Sequence, residues 1–241
     1  MTNAVVGRLL LFILLISPLP LWAKLQVVTE LSPPNQTIEN HQVAGSSTDL
    51  VKAILKAAEL EGQFSIYPWA RAFKLAQHDK HTLIYSIAKT PAREDSFHWI
   101  GPVAVFHLGF VTNRYREDIK IQSLEDAKQY KIAVQRGDIA EGTLKALGFN
   151  FVQTSDIEKS YELLVANRVD LVIDDPRYIK TMAIELNLPA DHFTFLYDVE
   201  ALSVKGYLAT NNQLPLAIVE RLRSAFTKIS KTEAYRRVLE L

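Results

Sequence analysis

The stretch Tyr85-Ser86-Ile87-Ala88-Lys89-Thr90-Pro91-Ala92-Arg93, which continues to Phe97-His98-Trp99-Ile100-Gly101-Pro102, decides the predicted fold of this chain. It is entered through Thr82-Leu83-Ile84-Tyr85, a short β-branched and aromatic run that is typical of a buried strand. The chain then leaves through a polar turn, where Thr90 can cap a short helix and Pro91 can take its first position. A strand that leads through a polar turn into a helix predicts one unit of an α/β fold.

Three side chains of this turn are expected to meet at the carboxyl end of the predicted strand, namely Ser86, Thr90 and Arg93. Open α/β sheets hold anionic small molecules at this edge, beside free backbone N–H groups. A guanidinium placed there can bind a carboxylate through two parallel hydrogen bonds. Taken alone, the pattern is explained better by an exposed arginine that pairs with Glu94 or Asp95, but the remainder of the chain reverses that preference.

Strand and helix patterns alternate on both sides of this stretch, over residues 25–85 and again over residues 131–174. This alternation predicts two parallel α/β lobes. The run Val103–Asn113 is too long for an ordinary strand of about 5–6 residues, which indicates a strand that leaves one lobe and enters the other. The extended segment Gly206–Thr210 would provide the return crossing.

The predicted fold class is therefore α/β, with two lobes joined by two hinge strands near Leu108–Thr112 and Gly206–Thr210. Lobe 1 is expected to comprise residues 24–109 together with 207–241, and lobe 2 residues 110–206. A cleft between lobes that are linked by paired strands is suited to closing on a ligand.

The first 23 residues have the pattern of a secretory signal peptide. Arg8 precedes the apolar run Leu9–Ile16, which is far shorter than the ~20 residues of a membrane span, and Ala23 ends the segment with a small residue suited to cleavage. The chain contains no cysteine, so it has neither disulfides nor an acyl-anchor cysteine at the cleavage site. We therefore expect a soluble periplasmic protein that is secreted with a cleaved signal peptide.

The charge balance excludes two classes of partner. The chain has 27 basic and 27 acidic residues, and loss of Arg8 with the signal peptide leaves 26 minus 27, a formal charge of −1. Such a balance gives no electrostatic basis for binding nucleic acid or an anionic membrane surface.

The chain also has no Gly-rich phosphate loop, nucleophile elbow or His-Glu-x-x-His motif, so no cofactor, metal or catalytic residue is expected. The mature chain is expected to be a monomer.

Several short motifs follow one another along the mature chain: Ser32-Pro33-Pro34 before Gly45, Asp49-Leu50-Val51-Lys52-Ala53-Ile54, Ser86 with Thr90-Pro91-Ala92-Arg93, Phe97 before Gly101-Pro102, Ile132-Ala133-Val134-Gln135-Arg136-Gly137, and Asn167-Arg168-Val169-Asp170-Leu171-Val172-Ile173-Asp174-Asp175. With these motifs the chain resembles the periplasmic solute-binding proteins of family 3, the polar-amino-acid binding components of ABC importers. The resemblance covers essentially the whole mature length and implies the two-lobed type II periplasmic-binding fold.

The resemblance implies a ligand carboxylate held by Arg93 with Ser86 and Thr90, an amino group held by Asp175, and an apolar contact from Trp69. An indole face also suits a cation. The complete set of expected ligand-binding residues is Glu30, Trp69, Arg71, Tyr85, Ser86, Thr90, Arg93, Arg136, Asp138 and Asp175. Asp174 is assigned to capping the helix that Pro176 would open.

The chain departs from the family pattern at three places. Ser32 stands where an aromatic residue often covers the ligand, and Ala88 stands where a hydroxyl residue is usual. The second-lobe loop reads Gly137-Asp138-Ile139-Ala140, so it lacks two hydrogen-bonding side chains and gains a carboxylate. If Glu30, Asp138, Asp174 and Asp175 all lie near the cleft, they would favour a ligand with extra positive charge.

The expected function is capture of a small polar ligand, amino-acid-like or amine-containing, for an ABC importer. Two alternatives stay open. One is an enzyme on the same fold, similar to a dehydratase of the family, because clustered carboxylates can act as general acid and base. The other is a sensor that presents its ligand-bound form to a membrane receptor, since a fold alone does not decide function.

Overall fold

A computed structural model of the chain describes residues 24–239. The predicted signal peptide, residues 1–23, lies outside this range. The strands are β1 (Leu25–Thr29), β2 (Thr37–Glu39), β3 (Gln42–Ala44), β4 (Gly62–Ile66), β5 (Thr82–Ala88), β6 (Phe97–Asn113), β7 (Ile132–Gln135), β8 (Phe151–Thr154), β9 (Leu171–Asp174) and β10 (Phe193–Asn211). The α-helices are α1 (Ser46–Ala57), α2 (Trp69–His78), α3 (Leu124–Ala127), α4 (Ile139–Ala146), α5 (Ile157–Val165), α6 (Ile179–Glu185), α7 (Leu216–Ile229) and α8 (Glu233–Leu239).

Eight strands form one sheet in the order β4-β1-β5-β10-β6-β9-β7-β8, and β2 pairs with β3 in a separate hairpin. β1 runs parallel to β4 and β5 at one end of the sheet, whereas β7 runs parallel to β8 and β9 at the other. The long strands β6 and β10 pair with each other antiparallel in the middle. Parallel strands covered by helices confirm the predicted α/β class.

The hydrophobic core divides into two halves that match the two ends of the sheet. One half is formed by two clusters that contain side chains such as Ile54, Tyr85 and Leu222 on and around β1, β5, α1, α2 and α7. The other half is formed by two clusters around β7, β9, α4 and α5, with Leu144 and Tyr161 among their members. Separate cores joined by two strands are the features of a hinged two-lobed protein.

The neighbours of β6 and β10 change where these strands pass from one lobe to the other. β10 pairs with β5 at Gly206–Thr210, whereas β6 pairs with β9 at Gly109–Val111. A break in register separates Asp198 from Ser203 on β10. Because both expected crossings, Leu108–Thr112 and Gly206–Thr210, overlap these paired segments, we propose a hinge a few residues earlier, at 105–108 and 203–205.

Helix starts on lobe 2 follow the capping residues of the sequence. Ser123 and Asp126 form a capping box at α3, and the Asp138 and Asp156 carboxylates accept backbone N–H bonds at the starts of α4 and α5. The prediction that Thr90 caps a short helix with Pro91 at its first position is wrong. Residues 91–93 form a turn closed by the Arg93 N–H bond to Thr90 O, and a single 3₁₀ turn then leads directly into β6.

Candidate ligand-binding site

A cleft of about 770 Å³, which includes the space at its open mouth, lies between the two lobes. Glu30, Trp69 and Arg93 line it from lobe 1, and Asp138 and Asp174 line it from lobe 2. Glu30 follows β1 and Arg93 follows β5, whereas Asp138 follows β7 and Asp174 ends β9. The polar groups thus come from the carboxyl ends of parallel strands, where open α/β sheets place their binding sites.

Arg93 spans the cleft from one lobe to the other. Its Nη1 donates to Ala88 O at 3.3 Å, within lobe 1, and its Nη2 donates to Gly137 O at 2.7 Å, across the cleft. Burial lowers the pKa of Arg93, and the negative charges of Asp138 and Glu30 oppose that shift. Arg93 is therefore a partly buried cation in the cleft, and Glu94 pairs with Lys89 rather than with Arg93.

The carbonyl oxygen of Gly137, on lobe 2, accepts hydrogen bonds from two side chains of lobe 1. Trp69 Nε1 donates to the same carbonyl at 2.8 Å, beside the Arg93 bond. Gly137 has a φ of 74°, a left-handed conformation in which glycine is favoured because it has no Cβ. Two donors of lobe 1 thus converge on one lobe 2 carbonyl, and this arrangement holds the cleft closed.

Replacing Trp69 with phenylalanine should weaken ligand binding by about three- to tenfold, because closure would lose one net hydrogen bond of roughly 0.5–1.5 kcal/mol. Calorimetric titration measures this loss. Trp99→Phe is the matched control, since Trp99 Nε1 also donates to a carbonyl, Glu94 O at 2.9 Å, but within lobe 1. Equal losses of affinity in both variants would contradict a role for Trp69 in closure.

The three carboxyl groups of the cleft are held away from bulk water. Burial raises the pKa of Glu30 to about 8, the nearby Asp138 adds to the shift, and a hydrogen bond from Gln135 across the cleft opposes it. Burial also raises the pKa of Asp174 to about 7, although its carboxylate accepts a 2.7 Å bond from Tyr161 Oη. Burial raises the pKa of Asp138 as well. Glu30 and Asp138 keep some exposed surface, which lies on the cleft.

Ser86 lies in the cleft with an unusual backbone conformation. It has a φ of 62° inside β5, and its Oγ accepts a hydrogen bond from the Gln36 side chain. Non-glycine residues with such a φ are strained and are often found at functional sites. Gly206 permits this conformation, since a Cβ added there would lie 2.8 Å from Ser86 Cα and 2.7 Å from the Phe106 ring.

We expect Gly206→Ala to destabilise the protein by about 1–3 kcal/mol, because the new methyl group would force Ser86 and Phe106 apart. Urea denaturation followed by circular dichroism gives the free energy of unfolding. Gly142→Ala on α4 is the control, since a Cβ there meets no atom within 4 Å and a helical alanine should be neutral or stabilising. Similar stability in the two variants would show that the close approach at Gly206 carries no constraint.

Asp175, the expected partner of the ligand's amino group, is not among the residues that line the cleft. Its side chain is 0% exposed and accepts bonds from Arg177 Nε at 2.8 Å, Arg177 Nη2 at 2.7 Å and the His107 N–H at 2.9 Å. Burial by itself raises the pKa of Asp175, but these donors outweigh it and hold that pKa below its ordinary value. Of the two aspartates, Asp174 is the last residue of β9 and lines the cleft, whereas Asp175 follows the strand and pairs with Arg177.

Four further residues of the expected set lie elsewhere. Tyr85 is fully buried in lobe 1, where its hydroxyl contacts Thr48 Oγ1 at 2.8 Å. Arg71 stacks over the Tyr67 ring at 4.3 Å and lines a separate groove on the surface of α2. Thr90 and Arg136 are also outside the group of described residues that line the cleft, and Arg136 is exposed. The structure therefore brings together Glu30, Trp69, Ser86, Arg93 and Asp138 from that set.

Sequence patterns missed two lining residues that also join the lobes. Gln135 is the last residue of β7 and donates to Glu30 at 2.8 Å. Tyr178 precedes α6 and accepts a hydrogen bond from the Asn35 side chain of lobe 1. The position of Gln135 at the carboxyl end of a predicted strand was the available signal for it, whereas the helix expected from Pro176 concealed Tyr178.

Residues 24–239 contain neither a membrane-spanning helix nor a cluster of metal-binding side chains. In this part of the chain no helix combines the length and apolar character that a bilayer crossing requires. The same residues contain no group of three or more His, Cys, Asp or Glu side chains placed to hold a metal ion.

Solved structures with the same fold include sensors and binding proteins. A histidine kinase sensor domain with similarity to periplasmic binding proteins has a TM-score of 0.77 at 17% identity, covering 89% of this chain and 93% of the domain. An ancestral arginine-binding protein bound to arginine has a TM-score of 0.74 at 22% identity, covering 89% and 96%. The substrate-binding protein of an amino acid ABC transporter has a TM-score of 0.73 at 16% identity, covering 89% and 96%. At these identities the likeness establishes the fold.

The family of the chain is shown by its sequence. No curated protein matches it. The family model of the bacterial extracellular solute-binding proteins, family 3, matches residues 25–240, which is nearly all of the chain outside the predicted signal peptide. This match confirms the resemblance drawn from the motifs and the two-lobed fold that it implied. The chain therefore belongs to the bacterial extracellular solute-binding proteins, family 3.

Proposed function

We propose that this protein captures a small amine-containing solute in the cleft between its lobes and closes over it. The observation that supports this proposal is the set of charged groups in the cleft, where three carboxyl groups face a single guanidinium. Carboxylates contributed by both lobes attract a cation, and burial strengthens that attraction. A cleft with an excess of acidic groups is suited to a ligand that brings positive charge.

Binding begins on lobe 1, where Glu30, Arg93 and Trp69 are presented together. Lobe 2 then closes and adds Asp138 and Asp174. Ligand can favour the closed state only through contacts that exist in that state, and the lobe 2 carboxylates supply them. Without a cation, closure gathers three acidic groups in one buried space, which favours the open cleft.

The role we propose is delivery of the solute to an ABC importer from the periplasm, by a monomer that is secreted with a cleaved signal peptide. The family is described as extracellular, and one structure with this fold serves an amino acid ABC transporter. We infer binding without turnover, because every charged group of the cleft is explained by holding a ligand or by joining the lobes. Gene deletion should then abolish uptake of the solute.

A sensor that reports its ligand to a membrane receptor is the second candidate. The likeness to a histidine kinase sensor domain favours it, with a TM-score of 0.77. The two roles differ in the consequence of gene deletion. Loss of a transcriptional response while uptake persists would assign the sensor role, whereas loss of uptake would assign the importer role.

A thermal-shift panel of amino acids, polyamines and small organic acids tests the proposed binding activity. Compounds with an amine should raise the melting temperature, because a ligand that binds only the folded state stabilises it by mass action. Organic acids without an amine should leave it unchanged. A panel in which only the acids stabilise the protein would overturn the proposal.

A further inference from the structure

The loop that begins α4 has its own carboxylates bonded to its backbone N–H groups. Asp138 Oδ1 accepts the Ala140 N–H at 2.8 Å, and the Ile139 N–H also bonds to the Asp138 side chain. Glu141 Oε2 accepts the Gly137 N–H at 2.5 Å. Helix N-termini bind anions through such N–H groups and through the helix dipole. In this chain those donors are already satisfied by Asp138 and Glu141.

Arg93, the cationic group at this end of the cleft, is also engaged. Its guanidinium donates hydrogen bonds to the carbonyls of Ala88 and Gly137, and the charges of Asp138 and Glu30 act on it directly. A ligand carboxylate placed here would meet the Asp138 carboxylate and would compete with it for Arg93. Like charges at close range disfavour each other strongly in a buried site.

Apart from the side chains of Ser32, Ser86, Gln135 and Tyr178, the remainder of the cleft consists of carboxyl groups and apolar side chains. Glu30 and Asp174 present carboxylate oxygens, which accept hydrogen bonds when ionised. Ile157, Ile173 and Met182 line the cleft around Asp174. An ammonium or guanidinium joined to an aliphatic body matches both the acceptors and the apolar walls.

We infer that the ligand is an organic cation that has no carboxylate, of the amine or guanidine class. Asp138 stands at the start of α4 and its charge acts on Arg93, so a ligand carboxylate bound to Arg93 would be repelled by it. This inference rests on the proposed function and narrows its ligand from amino-acid-like or amine-containing compounds to amines and guanidines.

Proton release on binding is a consequence that calorimetry can measure. The raised pKa values of Glu30 and Asp174 indicate protonated fractions near neutral pH, and a bound cation would lower both pKa values. Asp138, Asp174, Gln135 and Arg93 act on Glu30, and Tyr161, Asp175 and Asp138 act on Asp174. Amine affinity should therefore rise from about pH 6 to about pH 9, with protons released to the buffer.

Two matched pairs of compounds test the inference: cadaverine against lysine, and agmatine against arginine. Each pair differs by one carboxylate. Titration calorimetry should show the amine of at least one pair binding at least about tenfold more tightly than its parent amino acid. Tighter binding of the amino acid in both pairs would overturn the inference while leaving the proposed function standing. Failure of all amine-containing compounds to bind would instead remove the proposed function.

Asp138→Asn isolates the carboxylate without removing the helix cap, because asparagine is as good an N-cap residue as aspartate. The variant should bind the amine about tenfold more weakly and the parent amino acid more tightly than the unmodified protein does. Asp156→Asn is the matched control, since Asp156 caps α5 in the same lobe through the Lys159 N–H at 2.7 Å, outside the residues that line the cleft. An unchanged ratio of amine to amino acid affinity in Asp138→Asn would contradict the role of Asp138.

Discussion

Replacing Glu30 with glutamine is expected to weaken amine binding by about a hundredfold, which corresponds to about 2.7 kcal/mol. Glu30 lies in the cleft between Arg93 of its own lobe and the two aspartates of lobe 2. Glutamine keeps the shape and the hydrogen bond to Gln135 but removes the charge that pairs with a ligand cation. A buried charge pair that loses one partner costs about 2–5 kcal/mol, mostly because the other charge is left unpaired.

The same substitution should stabilise the empty protein at alkaline pH. The pKa of Glu30 is about 8 in the folded protein and 4.5 ordinarily, so the folded state binds more protons than the unfolded state between these values. Stability therefore falls as pH rises from about 4.5 to about 8, by at most about 5 kcal/mol when complete. Asp174, with a pKa of about 7, and Asp138 act with the same sign, so the contribution of Glu30 is clearest between about pH 7 and about pH 8.

Melting temperatures measured at intervals of about one pH unit, from about pH 5 to about pH 9, test this expectation. The unmodified protein should lose stability across the interval, and Glu30→Gln should lose less, above all at its upper end. Glu39→Gln on the exposed β2 strand is the control and should follow the unmodified protein. Parallel curves for all three proteins, with amine affinity retained in Glu30→Gln, would exclude Glu30 from the site.

The second large effect is expected at Asp175. Asp175→Ala should destabilise the protein by about 3–5 kcal/mol, because a buried ion pair that loses one partner leaves the other charge uncompensated. Arg177 would lose the two side-chain bonds and the one backbone N–H bond that it donates to the carboxylate, and the His107 N–H on the hinge segment of β6 would lose its acceptor. Arg177 also donates to Val105 O, so the pair fastens lobe 2 to the hinge.

Urea denaturation of Asp175→Ala measures the loss, and Asp191→Ala is the matched control. Asp191 pairs with Arg114 on the surface of lobe 2, where its side chain is 70% exposed. Exposed pairs contribute about 0–1 kcal/mol, so this control should stay close to the unmodified protein. Amine affinity of folded Asp175→Ala should fall far less than that of Glu30→Gln. If the Asp175→Ala variant is stable but no longer binds amines, the result would support the contact between Asp175 and the ligand's amino group that the resemblance implies.

The alternation of elements was enough to predict the α/β class and the two lobes, because periodic apolar patterns report directly which faces are buried. Capping residues such as Ser123 and Asp138 also marked helix starts within one residue. The hinge that we propose lies a few residues before the crossings expected from the sequence. Sequence alone does not show which neighbours a long strand pairs with, and those pairings define the lobes.

The site was predictable only where a motif fixed the backbone. Arg93 and Glu30 follow strands whose ends must meet at one edge, and both line the cleft. Whether Asp174 or Asp175 lines the cleft depends on where β9 ends and on the hydrogen bonds that Arg177 donates to the Asp175 carboxylate. Such contacts depend on side-chain geometry that periodicity does not encode.

The distance between the lobes, measured by pulsed electron paramagnetic resonance, tests most directly whether the protein closes on a cation. The chain has no cysteine, so labels can be attached to Lys74→Cys on α2 and Lys145→Cys on α4 alone. Both positions are exposed and lie outside the cleft. A saturating amine should shorten and narrow the distribution of distances between the two labels. In the doubly labelled protein that also carries Glu30→Gln, the same amine concentration should leave the distribution unchanged. An unchanged distribution with the amine bound would contradict closure.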